Sequence, residues 1–214
     1  MKKNILFIFL LIAIFFTGCS TTRIISSWKA NDVSASVNFK KILVVGLIND
    51  KDRRIREHME SHLVGDLIDL GYDAVSSIEE YGPQSFQRIS EDSLLKKLHN
   101  SKIDAVITIS LLDKAKEKSF TPGSITYQPI FLGYNRFFGY YQTYYDRIYT
   151  PGYYTIDTKY YFETNLYNLN GNDKDLLYSA QSEAFDPANV NDMAHNYGKM
   201  IVKDLQKKSV VSKK

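Results

Sequence analysis

His58 and His62 stand four residues apart in Arg54-Ile-Arg-Glu-His-Met-Glu-Ser-His62, a spacing that can set two imidazoles on one metal ion. The zinc-protease version of that pattern needs Glu directly after the first His, but Met59 stands there and Glu60 comes one position late. Spacing identifies no third ligand. His62 borders the apolar stripe of Ile55 and Met59, so the pair reads as a half-exposed helix flank. His99 and His195 are isolated in polar helical contexts. Glu79-Glu80 and Glu91-Asp92 are acid pairs on paper only, because adjacent residues on a helix do not face each other. No nucleophile elbow, P-loop or dinucleotide fingerprint occurs. The loop Gly46-Leu-Ile-Asn-Asp-Lys-Asp52 has one glycine and two carboxylates, which would repel a phosphate and suit helix capping. The expectation is a non-enzymatic protein with no catalytic residue, no metal and no cofactor.

One stretch rises above background. Residues 120–162 hold 16 of the chain's 29 aromatic residues, with the pairs Tyr140-Tyr141, Tyr144-Tyr145 and Tyr153-Tyr154, prolines at 122, 129 and 151, and glycines at 123, 133, 139 and 152. Tyrosine gives large, rigid, amphipathic contact area at little entropic loss, so it crowds recognition surfaces. Three readings fit: a protein- or glycan-binding face, a membrane-interface belt, or a twisted hairpin packed on its own sheet. Alternation such as Tyr140, Gln142, Tyr144 would line one side of an extended hairpin. Tyr140, Tyr141, Tyr144 and Tyr145 are the candidate partner-binding residues, and the composition around them favours exposed loop over core.

The elements that must position these residues follow from periodicity. Lys41–Ile48 is a continuous β-branched and apolar run, a strand buried on both faces. Ile55, Met59, Leu63, Leu67 and Leu70 recur at helical spacing, closed by Gly71. Residues 73–77 read as a short strand. Ser90 caps a second helix carrying Leu94, Leu95 and Leu98, and residues 103–112 form another buried strand. Residues 155–169 and 176–184 read as a hairpin across Asn170-Gly171-Asn172-Asp173. A last helix, capped by Asp186 with Pro187 at its first position, carries Val190, Ala194, Tyr197, Ile201 and Leu205 on one stripe. Lys203, Lys207 and Lys208 suit its C-terminal end. The β-α-β-α-β order predicts a mixed α/β fold: one three-layer-like domain over Val37–Lys208 with a central mixed sheet, about three helices, and a Tyr-rich excursion at 119–154, followed by a C-terminal tail at 209–214.

The first residues give an address. Lys2 and Lys3 precede an apolar run of 12 residues, Ile5–Phe16. That is short of the roughly 20 needed to span a bilayer and fits the core of a secretory signal. Phe16-Thr-Gly-Cys19 then resembles the lipobox of bacterial lipoproteins, in which small residues precede an invariant cysteine that is diacylglycerated, becomes the mature N-terminus and is N-acylated. The only cysteine of the chain falls at that spot; Phe16 replaces the usual leucine. The resemblance implies residues 1–18 as signal, Cys19 as lipidation site, and 19–36 as a tether. Ser20, Thr21 and Thr22 bring no acidic residue, which by the same resemblance implies sorting to the outer membrane. With the two leader lysines set aside, 25 cations face 24 acids. A balance so near neutral gives no electrostatic case for nucleic acid.

The order signal, Ser26-Ser-Trp28, strand Ile42–Ile48, helix, Ala74-Val75, Asp104-Ala-Val106, Tyr/Gly/Pro-rich stretch, Glu163-Thr-Asn-Leu-Tyr167 and Phe185-Asp-Pro187 resembles a family of uncharacterised bacterial lipoproteins. That resemblance implies an α/β domain similar to the anticodon-binding-domain-like domain of envelope proteins, with no catalytic residues. The functional expectation is an accessory or scaffold protein of the envelope, held on the membrane through Cys19 and facing the periplasm, that binds another envelope protein. A subunit of a homo-oligomeric secretion assembly ranks second and an envelope enzyme third.

Overall fold

In the computed structural model, residues 22–31, 37–83, 91–135, 140–170 and 175–214 are described. Cys19 and the proposed cap Ser90 lie outside them, as do the turn residues 171–174. Within 91–92, 129–135 and 140–145 the description reaches backbone only. The chain divides into two compact units, one running to Lys114 and resuming over Lys159–Lys214, the other Ala115–Thr158.

The first unit is built around β2 (Lys41–Leu47), whose interior residues are all buried. Its side chains alternate between two cores. Ile42 and Val44 join one with Ile55, Met59, Leu63 and Leu67 of α1 (Arg53–Asp69) and Ala194, Tyr197, Ile201 and Leu205 of α4 (Val190–Lys207). Leu43 and Val45 join the other with Leu98 of α3 (Glu91–Asn100), Ile103 and Val106. The result is three layers: α1 and α4, the sheet, and α3. At roughly 1.5–3 kcal/mol per buried large aliphatic, these two faces supply most of the driving force for folding.

The sheet has six strands in the order β1-β8-β7-β4-β2-β3, counting β1 (Thr22–Lys29), β3 (Asp73–Ser76), β4 (Ala105–Thr121), β7 (Tyr153–Asn168) and β8 (Asp175–Phe185). It is mixed, as the sequence predicts. β2 runs parallel to β3 and to β4, while β8 runs antiparallel to β1 and to β7. A fourth helix not anticipated, α2 (Ser77–Tyr81), follows β3 directly, with Ser76 accepting from the Ile78 and Glu79 N–H groups.

Helix α1 ends as expected. Gly71 takes φ 93°, its N–H bonds the Ile68 carbonyl and that of Tyr72 bonds the Leu67 carbonyl, the two closing bonds of a Schellman motif. Three expectations are corrected. Residues 22–29, read as tether, form edge strand β1, pairing Thr22 with Ala184 and Lys29 with Tyr178. The last helix is capped by Asn189, not Asp186. Asn189 accepts from the Asp192 N–H at 2.8 Å and donates to the Asp192 carboxylate at 2.7 Å, a reciprocal pair unavailable to Asp186 at φ 38°. Residues 209–214, read as a tail, are packed: Val210 and Val211 are buried, and the Lys214 N–H bonds the Leu70 carbonyl.

The described residues of the second unit are strand apart from two Pro-Gly breaks. Outer strands β5 (Ser124–Asn135) and β6 (Tyr140–Thr150) pair antiparallel, Ser124 with Thr150 and Asn135 with Tyr140. Residues 124–135 and 140–150 of the Tyr-rich excursion are therefore paired strands where composition suggested loop, a backbone arrangement compatible with all three readings. Pro122-Gly123 separates β4 from β5 and Pro151-Gly152 separates β6 from β7. A Cβ on Gly123 would fall 2.7 Å from the Thr150 carbonyl, and one on Gly152 2.9 Å from the Gly123 nitrogen. Glycine is required at both for close backbone approach. The Pro-Gly pairs thus break ladders where the sequence suggested loops, and the pairing shifts register between Pro129 and Phe131, as a residue without N–H demands.

Candidate functional site

Among the described residues of the first unit two carboxylates are buried, one at each end of its parallel strands. Glu60 on α1 is fully buried at the carboxyl ends of β2 and β3. It accepts from the Gly46 N–H (2.8 Å), the Ile78 N–H (3.1 Å), Ser76 Oγ (2.8 Å), Ser77 Oγ (2.9 Å) and Arg56 Nε (2.9 Å). Arg56 continues to the Pro83 carbonyl (3.1 Å) and Ser77 Oγ (3.1 Å). Gly46 is needed here too, since a Cβ would meet Arg56 Cγ at 2.7 Å and Glu60 Oε1 at 3.0 Å. At the opposite strand ends, buried Asp104 accepts from the Lys40 N–H (2.8 Å) and the Lys41 N–H (3.0 Å), while its own carbonyl accepts from the Leu169 N–H at 2.8 Å. Every oxygen of both groups is engaged in holding strands to helices or to each other.

The carboxyl ends of parallel strands are where α/β folds bind ligands, and a crevice of about 240 Å³ opens there between Asn49, Asp50, Arg53, Arg56, Glu57 and Pro83. It falls below the roughly 300–1,000 Å³ of ligand pockets. Asp50 in its lining and Asp52 in the adjoining loop both titrate low. The Asp52 N–H and then Lys114 hold the Asp50 carboxyl below its ordinary range. The Arg54 guanidinium holds Asp52 down to about 2. Asp52 is the helix cap, bonding the Arg54 N–H at 3.1 Å, and Asp50 accepts from the Asp52 N–H at 2.9 Å, as the capping reading of this loop requires.

The histidines meet differently than spacing suggested. His195, expected to be isolated, lies edge-on to His62 with ring centroids 5.4 Å apart, and His62 stacks on His58 at 6.3 Å. His62 Nε2 is 2.9 Å from Asn191 Oδ1. Among the described residues, no group of three His, Cys, Asp or Glu side chains is arranged to hold a metal ion. Beside this row, Asp66 Oδ2 is shut off from solvent without a hydrogen-bond partner. Burial pushes the Asp66 carboxyl up, an effect only partly countered by His195, Lys199 and His62. A carboxyl raised in the folded state contributes stability below its unfolded value of 3.8, and that contribution disappears as pH rises through the folded value. Asp66→Asn is therefore expected to be more stable than the parent at pH 7, with the advantage shrinking toward pH 3.5. Urea midpoints at the two pH values check this, and equal midpoints at pH 7 would count against it.

The second unit has the opposite character. Of its large apolar side chains, Phe120, Ile125, Tyr127, Ile148, Tyr149, Tyr153, Tyr154 and Ile156 are all exposed, Tyr127, Tyr149 and Tyr154 by more than 60% (62%, 64% and 62%). Ile125 sits directly across from Tyr149 and Tyr127 from Arg147, so one face of the hairpin base alternates aromatic, aliphatic and cation. Phe120 packs on Tyr154 at 4.8 Å, and Lys118 lies 4.1 Å over the same ring. The four residues singled out by sequence fall farther along: Tyr140, Tyr141, Tyr144 and Tyr145 pair with Asn135, Tyr134, Phe131 and Pro129 in the β5–β6 ladder. Their side chains lie outside the description. The sequence named Tyr153 and Tyr154 as a pair but passed over Tyr127 and Tyr149, which alternation with Ile125 and Arg147 would have flagged.

No family model matches the chain, and no curated protein matches it. Among solved structures, a PelC dodecamer from Paraburkholderia phytofirmans is similar at 10% identity over 88% of this chain and 98% of that one, with a TM-score of 0.46. Lipoprotein GNA1162 from Neisseria meningitidis is similar at 14% identity over 79% and 96%, TM-score 0.41. A PDZ domain protein from Parabacteroides distasonis is similar at 11% over 90% and 38%, TM-score 0.38. Superpositions this loose leave function to the chain's own residues. Among the described residues, no helix is long and apolar enough to cross a membrane.

Proposed function

We propose that this chain is a lipid-anchored accessory protein of the bacterial envelope, non-enzymatic, held by Cys19 in the outer membrane and facing the periplasm, that binds another envelope protein through its second unit. The observation that carries the reading is the exposure of Tyr127, Tyr149, Tyr153 and Tyr154 together with Ile125 and Ile156 on the small second unit. Exposed apolar and aromatic surface concentrated this way marks an interaction site, and Tyr is enriched among residues that dominate binding energy. The first unit supports the reading from the other side, since its buried carboxylates serve architecture. Anchoring through two or more acyl chains, at ~0.8 kcal/mol per buried CH₂, would be stable, whereas one chain is marginal.

The test is a variant pair. Tyr127/Tyr149/Tyr153/Tyr154→Ser is expected to remain folded, since exposed substitutions each change stability by no more than about 0.5 kcal/mol, yet to lose the envelope crosslinks that the parent forms in intact cells. The same outcome is expected for Tyr140/Tyr141/Tyr144/Tyr145→Ser. A fall in melting temperature of about 10 °C or more, several kcal/mol for a chain of this size, would assign these rings to folding. Unchanged crosslinks in a folded variant would remove the second unit as the binding face.

A further inference from the structure

Strand β1 begins almost at the attachment point. Only Ser20 and Thr21 separate Cys19 from Thr22, the first residue of β1. Three residue steps span at most about 11 Å even when fully extended. A lipid on Cys19 therefore holds the start of β1 against the bilayer surface, and whatever flanks that start lies within the layer of lipid phosphates or close above it.

What flanks it is a groove of about 580 Å³ between β1 and α4, lined by Thr22 and Arg23 on one side and by Lys199, Lys203 and Lys207 on the other. The three lysines recur every fourth residue, a row about 12 Å long on one face of the helix. All three are exposed. Arg23 is bridged to Glu183 at 2.6 Å and Lys199 faces the partly buried Asp66 carboxyl, so Lys203 and Lys207 supply most of the free charge of the row. The one acid in the lining, Asp204, accepts from the Tyr178 hydroxyl at 2.9 Å and is half-buried. Lys208 ties the same helix to β1 through the Ser27 carbonyl at 3.2 Å, which fixes the row beside the strand. A chain with 25 cations and 24 acids after its leader thus places three cations in a row beside its attachment point. The macrodipole accounts for a lysine in the last turn, Lys207, but not for Lys199, two turns earlier.

We propose that the β1–α4 groove seats on the anionic phosphate surface of the membrane that holds Cys19, so that the lysine row fixes the orientation of the first unit on the bilayer. This rests on the reading of Cys19 as the anchor. The reach suits it: Thr22 stays within about 11 Å of Cys19, comparable to the screening length of about 8 Å at physiological salt, so cations beside the start of β1 feel the surface potential more strongly than those farther from it. Each lysine near an anionic leaflet is worth roughly fivefold in the docking equilibrium, on the order of 100-fold for three.

The experiment uses the mature full-length protein reconstituted in vesicles of phosphatidylcholine, with or without phosphatidylglycerol at about a third of the lipid, enough to make the surface potential negative. Acylation of lysines by an amine-reactive probe and backbone hydrogen exchange of residues 22–29 are followed by mass spectrometry at low and high salt, about 0.05 and 0.5 M, which brackets the screening length. Lys199, Lys203 and Lys207 are expected to react about fivefold more slowly, or slower still, on anionic vesicles at low salt, with the protection lost at high salt or on neutral lipid. The triple variant K199Q/K203Q/K207Q is expected to lose the slowed exchange in β1 while remaining folded. Equal lysine reactivity on the two lipids overturns the proposal. Protection that appears only on adding an envelope protein also overturns it, in favour of a protein in the groove. The N-terminal peptide mass from the same samples reports the anchor separately. An unacylated Cys19 with protected lysines sinks the anchor and leaves the groove; an acylated Cys19 with unprotected lysines does the reverse.

Discussion

Glu60→Ala is expected to lower stability by about 3–5 kcal/mol, the range found when one partner of a buried ion pair is removed and the other is left. The Gly46 N–H, the Ser76 and Ser77 hydroxyls and Arg56 Nε would lose this acceptor at once, while the Ile78 N–H would keep only its bond to Ser76 Oγ. Water has little access, since Glu60 is 0% exposed. Against a typical total of about 5–15 kcal/mol this is a fifth or more of what holds a domain folded. At roughly 2–4 °C per kcal/mol for a chain of this size, the melting temperature should fall by about 6–20 °C. Glu60→Gln keeps the shape and one acceptor oxygen but turns an NH₂ toward donors, so an intermediate loss of about 1–3 kcal/mol is expected. Glu80→Ala is the control. Its bond to Lys41, at 3.3 Å, lies nearer the surface, and pairs of that kind contribute about 0–1 kcal/mol. Thermal melts of the three variants settle the matter: Glu60→Ala melting within about 2 °C of the parent, a change worth no more than about 1 kcal/mol, would show the network to be dispensable.

The same residue shows where sequence reading stops. Glu60 directly follows Met59 of the buried stripe and precedes Leu63 by three, yet a carboxylate on a helix reads as solvated. Its partners come from β2, β3 and α2, up to 18 positions away, and no local pattern announces that five donors converge there. Strand β2 and helices α1 and α4 were legible because their own periodicity decides them. Strand β1 was not. Its polar Thr-Arg-Ile-Ile-Ser-Ser-Trp-Lys is edge-strand composition that resembles a tether until β8 is set beside it, roughly 160 positions later (Arg23 faces Glu183). The packed C-terminus did carry a sign, since Val210-Val211 is an apolar pair within an otherwise polar run. In the Tyr-rich stretch, Pro and Gly were read as loop chemistry. They mark breaks between ladders, a distinction that depends on Pro122-Gly123 facing Pro151-Gly152 across the pair.

Gly198→Val is expected to be among the most damaging single substitutions on α4. Gly198 is buried where α4 crosses α1. A Cβ there would fall 2.3 Å from Asp66 Oδ2 and 3.3 Å from both the His62 carbonyl carbon and the Leu63 nitrogen. Two effects compete in Gly198→Ala. Replacing a helical glycine by alanine gains up to about 1 kcal/mol of propensity, while overpacking a tight contact costs about 1–3 kcal/mol. Asp66 can swing away, but the α1 backbone must also give a few tenths of an ångström, so steric cost should win narrowly for alanine. Valine adds two methyl groups against the α1 backbone and loses part of the propensity gain to its stiff χ1. Steric cost then wins outright, by about 3 kcal/mol or more. The decisive measurement is a double-mutant cycle with Asp66→Ala. Removing the carboxylate should rescue most of the alanine loss and little of the valine loss, because only the latter presses mainly on backbone. Equal rescue of both would place the conflict in the Asp66 side chain and not in the separation of the two helices.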